Sequence, residues 1–415
     1  MTSRVRTAKS PDRIFTLGFI FVGLATLAQA SSLMLVNTSI GLLVVRQFGL
    51  GPEVVGAVIG IQATCALVSR FPVGSWTDRY GSRLFAFAGA ALMVVSCVAF
   101  ILSMSIRAAI PIGGVPILLV LASMLSGVAL SAFSTAASTY IAYTVPISRR
   151  AEAVGYYGVL QGLAQGFGAG VSIVIVDGLG FGALYAIAGV ATVVAALLSL
   201  GLHQDGRPES ATPMGVGFQL HRGVVAPSLA QYSVIVGTGA AFSFIPLLGI
   251  SRGVTNPGLY FTAVAISSIV ARLLTGRIAD RRGRFAAIVP GMIVTAIGMY
   301  IVSSAATAEA FILAGVAVGM GFATAQPALQ ALAIDLAGQA ERGTAMATFW
   351  AFTDFGVITG SFVSGQIAAV SGLGTVFVVS AVMPLVGVAG LLSWRQLSRP
   401  GSAYFEHAAD PPNPP

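Results

Sequence analysis

Arg70, Arg272 and Asp354 are charges set inside apolar stretches. An ionised side chain at the middle of a membrane helix costs about 2.5–3.5 kcal/mol on insertion scales, and such residues pair or carry function. Arg70 and Arg272 each stand eight residues before an aspartate, Asp78 and Asp280. Eight helical residues rise ~12 Å, so an aspartate at the membrane surface places its arginine well inside. Asp354 lies twelve residues beyond Arg342, which is ~18 Å along a helix. A carboxyl at that depth can take up or release a proton as a guanidinium withdraws or approaches. Asp354 is thus the candidate proton carrier. The arginines are candidate partners for it or, with an anionic solute, a clamp.

A repeat shows which elements must hold these residues. RFPVGSWTDRYGSR from Arg70 returns as RLLTGRIADRRGR from Arg272, an offset of 202 in 415 residues. Gly74, Asp78, Arg79 and Gly81 recur as Gly276, Asp280, Arg281 and Gly283, while Arg83 and Arg284 close the two turns. A second match aligns EAVGYYGVLQGLAQGFGAG from Glu152 with RGTAMATFWAFTDFGVITG from Arg342, at an offset of 190. Duplication within one chain follows.

Composition makes this a membrane protein. Apolar residues are 56% of the chain, charged residues 9%, and the mean hydropathy is +0.89. A soluble domain carries about 25% charged residues. The apolar runs predict twelve transmembrane helices: 14–45, 53–76, 84–106, 117–143, 151–176, 181–202, 224–250, 257–279, 285–305, 310–334, 342–369 and 374–394. The expected fold is an all-α membrane protein of two pseudo-symmetric six-helix bundles, 14–202 and 224–396. Residues 1–13, the polar linker 203–223 and the Pro-rich tail 397–415 should be cytoplasmic, the tail disordered.

Charge placement orients the chain. Of 22 Lys and Arg, 17 fall in the termini and the even-numbered turns, and three (Arg46, Arg107, Arg252) in the opposite turns. This is the positive-inside pattern, with both termini in the cytoplasm. The net charge of +8 therefore needs no nucleic-acid partner. Cys65 and Cys97 sit in apolar helices without metal-ligand spacing. The three histidines lie in linker or tail, and Lys9 is the only lysine, so no enzyme signature and no phosphate loop is present. No cofactor is expected.

The doubled GxxxDRxG turn among twelve helices resembles the major facilitator superfamily, over about residues 14–396. The resemblance implies alternating access about a cavity between the halves, with a small solute and protons as partners, in a bacterial inner membrane, as a monomer. It implies gating by Gly74, Asp78, Arg79, Gly81 and Arg83, and by Gly276, Asp280, Arg281, Gly283 and Arg284. Each aspartate should dock on the opposite half, Asp78 near Arg342 and Asp280 near Arg149 and Arg150, while the carrier faces outward. Gly74 and Gly276 should let a neighbouring helix come close. The family packs helix 2 against helix 11, which predicts that Arg70 pairs with Asp354. Helix 8 against helix 5 gives Arg272 the amides Gln161 and Gln165. Helices 1, 4, 7 and 10 should line the cavity with Gln29, Asn37, Ser134, Thr135, Gln231, Tyr232 and Gln326, joined by Gln161, Gln165 and Trp350. Uncharged amides, hydroxyls and aromatics suit a neutral or amphipathic ligand. The stretch PALQALAIDLAGQAERGTAMATFWAFTDFG is similar to bacterial arabinose-efflux and multidrug-type permeases. A proton-coupled exporter is the expected function, with uptake of a nutrient or organic anion as the alternative and a transport-dead sensor or scaffold of the same fold as a third reading.

Overall fold

Lipid offers no hydrogen bonds, so a spanning backbone must satisfy itself. The chain accordingly folds into helices. The structure, a computed structural model, describes residues 15–105, 111–112, 115–145, 149–203, 220–239, 241–337 and 342–397. Side chains at 78, 111–112, 142, 150–152, 154–155, 273–282 and 342–343 are outside the description, as are the expected tails and most of the linker.

In the first half α1 is Leu17–Leu42, capped by the Thr16 hydroxyl, and it runs on through a π-helical turn, Leu43–Gln47. Then come α2 (Pro52–Tyr80), α3 (Ser82–Ser105), a short hairpin of β1 (Pro111–Ile112) and β2 (Val115–Pro116), and α4 (Ile117–Thr144). α5 is a single stretch, Arg150–Leu200, broken by Gly180 at φ 82°, ψ 172°. That backbone region belongs to glycine. The chain reverses there, so α5 holds the two spans expected at 151–176 and 181–202.

In the second half the span expected at 224–250 is one membrane-length apolar stretch, Arg222–Ser251, described as α6 (Val225–Thr238) and α7 (Ala241–Ser251) on either side of residue 240, which lies outside the description. The bare faces of Gly237 and Gly239 press on Ser380 of one neighbour and Val357 of another. There follow α8 (Leu259–Arg282), α9 (Phe285–Ser304), α10 (Ala308–Asp335), α11 (Arg342–Ser371) and α12 (Leu373–Leu397). Among the described residues nine stretches are long and apolar enough to cross a membrane, one of them the 45-residue Tyr156–Leu200. α11 is not one of them, because Asp354 and its many Thr, Ser and Gly residues dilute its apolar surface.

The two halves repeat each other's packing. Gly89 of α3 meets Ala129 and Phe133 of α4; Gly291 of α9, 202 residues on, meets Gly321 and Ala325 of α10. Gly127 of α4 rests on Gln62 of α2, as Gly319 of α10 rests on Val264 of α8. One core fuses the halves at the end away from Gly81 and Gly283, uniting Val36–Val44, Val55–Ile59, Phe244–Leu248, Tyr260 and Phe377. Toward those turns the core divides in two. One part holds Phe19, Phe133, Tyr140 and Tyr157, the other Val224, Leu329 and Phe349. The halves are therefore joined at one end and parted at the other.

Candidate functional site

Two antiparallel helix pairs form the seam between the halves. On one, Gly56 of α2 meets Ser361 and Gly365 of α11, and Gly60 meets Phe362. On the other, Gly170 of α5 meets Thr262 of α8, and Gly166 meets Ala265. Glycine at these points lets the backbones approach closely. Further toward the turns, where glycine contacts cease, each seam carries its arginine.

Arg70 reaches Asp354. Its Nε stands 3.1 Å from Oδ2, and Nη2 donates to Oδ1 at 3.4 Å. The Nε–Oδ2 contact is an ion pair without hydrogen-bond alignment. The side chains are 35% and 18% exposed, so the pair is sheltered while water still reaches the guanidinium. Both charges sit deep in their helices and offset one another's cost.

Arg272 meets no carboxylate among the described residues. Its Nη1 donates to the backbone carbonyl of Gly158 on α5 at 3.1 Å, and neither Gln161 nor Gln165 is the partner, contrary to expectation. A backbone carbonyl has no residue-type signature, which is why side-chain reasoning chose the amides. By the 190-residue offset, the position matching Asp354 is Ala164. Gln165 is exposed, and Gln161 instead lines a small cavity between α1, α4 and α5, with Thr26, Gln29, Leu33, Leu130, Phe133, Ser134 and Tyr157.

The amides divide into two kinds. Asn37 belongs to a polar knot: Gln62 Nε2 donates to Asn37 Oδ1 and to Ser126 Oγ, both at 2.9 Å. Ser243 of α7 donates across the seam to the Asn37 carbonyl at 2.6 Å. Asn37 thus ties helices together through its Oδ1 and its carbonyl. Gln29 and Gln231 are the other kind. Both are buried, and Gln29 Oε1 and both Gln231 amide atoms have no hydrogen-bond partner among the described residues. They stand 202 apart, in the segments TLAQ (Thr26 to Gln29) and SLAQ (Ser228 to Gln231). Even the local bonding repeats: Thr26 Oγ1 donates to Val22 and Ser228 Oγ to Val224, each at 2.7 Å. The match was present in the sequence, but four residues are too few to notice until structure aligns the halves.

Of the remaining cavity candidates, Tyr232 accepts a 3.1 Å bond from Thr359 and stacks on Phe355. Ser134 bonds back to Ser131, Thr135 and Gln326 are half-buried, and Trp350 packs edge-on to Phe349.

At the turns, Gly81 and Gly283 adopt φ of 94° and 83°, the left-handed side where glycine is favoured. Gly74 does not admit a neighbouring helix as expected, since nothing lies within 4 Å of its bare face. The parted halves explain this. Arg79 lies over the Tyr80 ring, Arg83 is exposed, and Arg284 pairs with Asp335 of α10 at 3.1 Å. The side chains of Asp78, Asp280 and Arg281, and the face of Gly276, lie outside the described residues.

Comparison with known proteins agrees with this architecture. An uncharacterized MFS-type transporter of Methanocaldococcus jannaschii is 22% identical over 359 residues, covering 83% of this chain and 89% of its own. The D323A mutant of the nucleoside transporter NupG superposes with a TM-score of 0.75 at 12% identity, over 91% of this chain and 99% of its own. The inward-open xylose transporter XylE from E. coli gives 0.73 at 17% identity, over 95% and 99%. Residues 22–307 and 228–414 match the profile of the Major Facilitator Superfamily, and with two packing-equivalent helix bundles the chain belongs to that superfamily and is a membrane-embedded secondary transporter rather than an enzyme.

Proposed function

We propose that the protein moves a small organic solute across a bacterial inner membrane by alternating access, with both termini cytoplasmic, and that Asp354 couples the movement to protons. The observation that carries this is the position of the Arg70–Asp354 pair. It bridges the two halves where their packed seam ends and their separation begins. Protonating Asp354 removes its charge and releases Arg70, so proton occupancy and the fit between the halves become one equilibrium. A proton then shifts the balance of states by its differential affinity for them. Gating by the two glycine turns belongs to the same proposal, with Asp78 and Asp280 docking when the open end closes. Export is the direction proposed, from the likeness of α10 and α11 to efflux permeases. Work as a monomer is part of it.

The test uses proteoliposomes. Unaltered protein should accumulate substrate under a pH gradient and exchange labelled for unlabelled substrate without one. Asp354→Asn should keep the exchange and lose the gradient-driven accumulation. If accumulation still follows the pH gradient in Asp354→Asn, the coupling role is wrong.

A further inference from the structure

The cavity between α1, α4 and α5 is small, about 40 Å³. One water needs about 10–15 Å³ of such space, so there is room for roughly two or three waters and for no organic body. Its polar wall is buried. Gln29 is 5% exposed and Tyr157 9%, and both line the cavity. Gln29 Oε1 and the Tyr157 hydroxyl are buried atoms with no hydrogen-bond partner among the described residues. Tyr157 Oη stands near Thr26, Ser138 and Gln161, without hydrogen-bond alignment to any of them. Two of these neighbours spend their own protons on helix carbonyls, Thr26 on Val22 and Ser138 on Ser134, each at 2.7 Å. They are left with lone pairs to offer. Buried polar atoms of folded proteins find a partner in protein or in ordered water. The cavity is also one-sided. By the 190-residue offset, Ala347 and Ala351 stand in the second half where Tyr157 and Gln161 stand in the first.

We propose that this cavity is a resident water site. Water fits it in both size and bonding: it donates to Gln29 Oε1 and accepts from the Tyr157 hydroxyl. Buried waters make about three hydrogen bonds each, and Thr26, Ser134 and Gln161 on the same wall supply the rest. Leu33, Leu130 and Phe133 form the apolar side, so this water exchanges more slowly than bulk. The site joins α1 to α5 through solvent in the first half alone. It goes beyond the transport reading and does not depend on it.

The experiment is X-ray radiolysis of the full-length protein in detergent, read by mass spectrometry at each tyrosine. Radiolysis makes hydroxyl radicals from water where it stands, so a buried ring is oxidised only beside bound water. Tyr157 should be oxidised about tenfold faster than Tyr185 and Tyr260, which are buried without lining the cavity, because buried water is held at particular polar sites. Rapid mixing into heavy-oxygen water separates bound from bulk water. The oxygen added to the exposed Tyr156 should switch at once, and that added to Tyr157 should lag. Gln29→Leu removes the acceptor and should bring Tyr157 down toward Tyr185 and Tyr260. Oxidation of Tyr157 no faster than those two in the unaltered protein would overturn the site, whether or not the variant folds. Heavy oxygen reaching Tyr157 as fast as Tyr156 would overturn it as well, since the cavity is then a cleft open to bulk. So would an unchanged Tyr157 rate in folded Gln29→Leu.

Discussion

The α2–α11 and α5–α8 seams descend from one pattern and end in different chemistry. Both are antiparallel, both close on glycine, and both place an arginine beyond the last close contact. One arginine meets a carboxylate and the other a backbone carbonyl. The difference rests on one position, Asp354 against Ala164. A neutralised site can be switched by a proton, because protonation changes whether the pair holds. A guanidinium that meets a carbonyl, and no carboxylate among the described residues, has no such switch. Duplication supplied two equal frames, and a single side chain sets their chemistry apart.

The comparison breaks most severely at Asp354. Asp354→Asn should abolish accumulation driven by a pH gradient while exchange persists, read as uptake of labelled substrate at matched and unmatched pH. The next effect is smaller and tests the pair rather than the proton. Arg70→Asp and Asp354→Arg should each lower exchange about tenfold, since removing one member leaves a buried charge uncompensated. The double swap should restore a good part. An absence of any recovery would mean that the two residues act separately.

A third contrast sets a closed contact against an open one. Gly89→Val drives a side chain into the backbone of α4, and overpacking of this kind costs about 1–3 kcal/mol. Its thermal midpoint should fall clearly. Gly74→Val meets open space and should leave the midpoint nearly unchanged. If Gly74 faces a helix once the open end closes, exchange by Gly74→Val slows despite the intact fold. Equal stability losses in both variants would contradict the parted arrangement.

Much of this was legible in the residues, for reasons that can be named. The repeat announced itself because the turn needs Gly81 and Gly283 at positive φ and Asp and Arg at fixed steps. The Arg70–Asp354 pairing was legible because charges at membrane depth are few, and few charges leave few partners. Arg272 was misjudged for the complementary reason: carbonyls are everywhere and carry no label.

The smallest expected effect concerns the amides, and it sharpens the comparison between halves. Gln62 has both donor contacts filled, on Asn37 and Ser126. Gln62→Leu would orphan buried groups, at about 1–3 kcal/mol, and should lower thermal stability. Gln231 is as buried, yet its amide has no partner among the described residues. Replacing an unsatisfied amide by an apolar side chain of similar size is close to neutral or stabilising. Gln231→Leu should therefore hold or slightly raise the midpoint while exchange slows, and Gln29→Leu should match it, because the two stand at equivalent places in the two halves. A large stability loss in Gln231→Leu alone would show that the amide is structural and that the equivalence of TLAQ and SLAQ ends at the backbone.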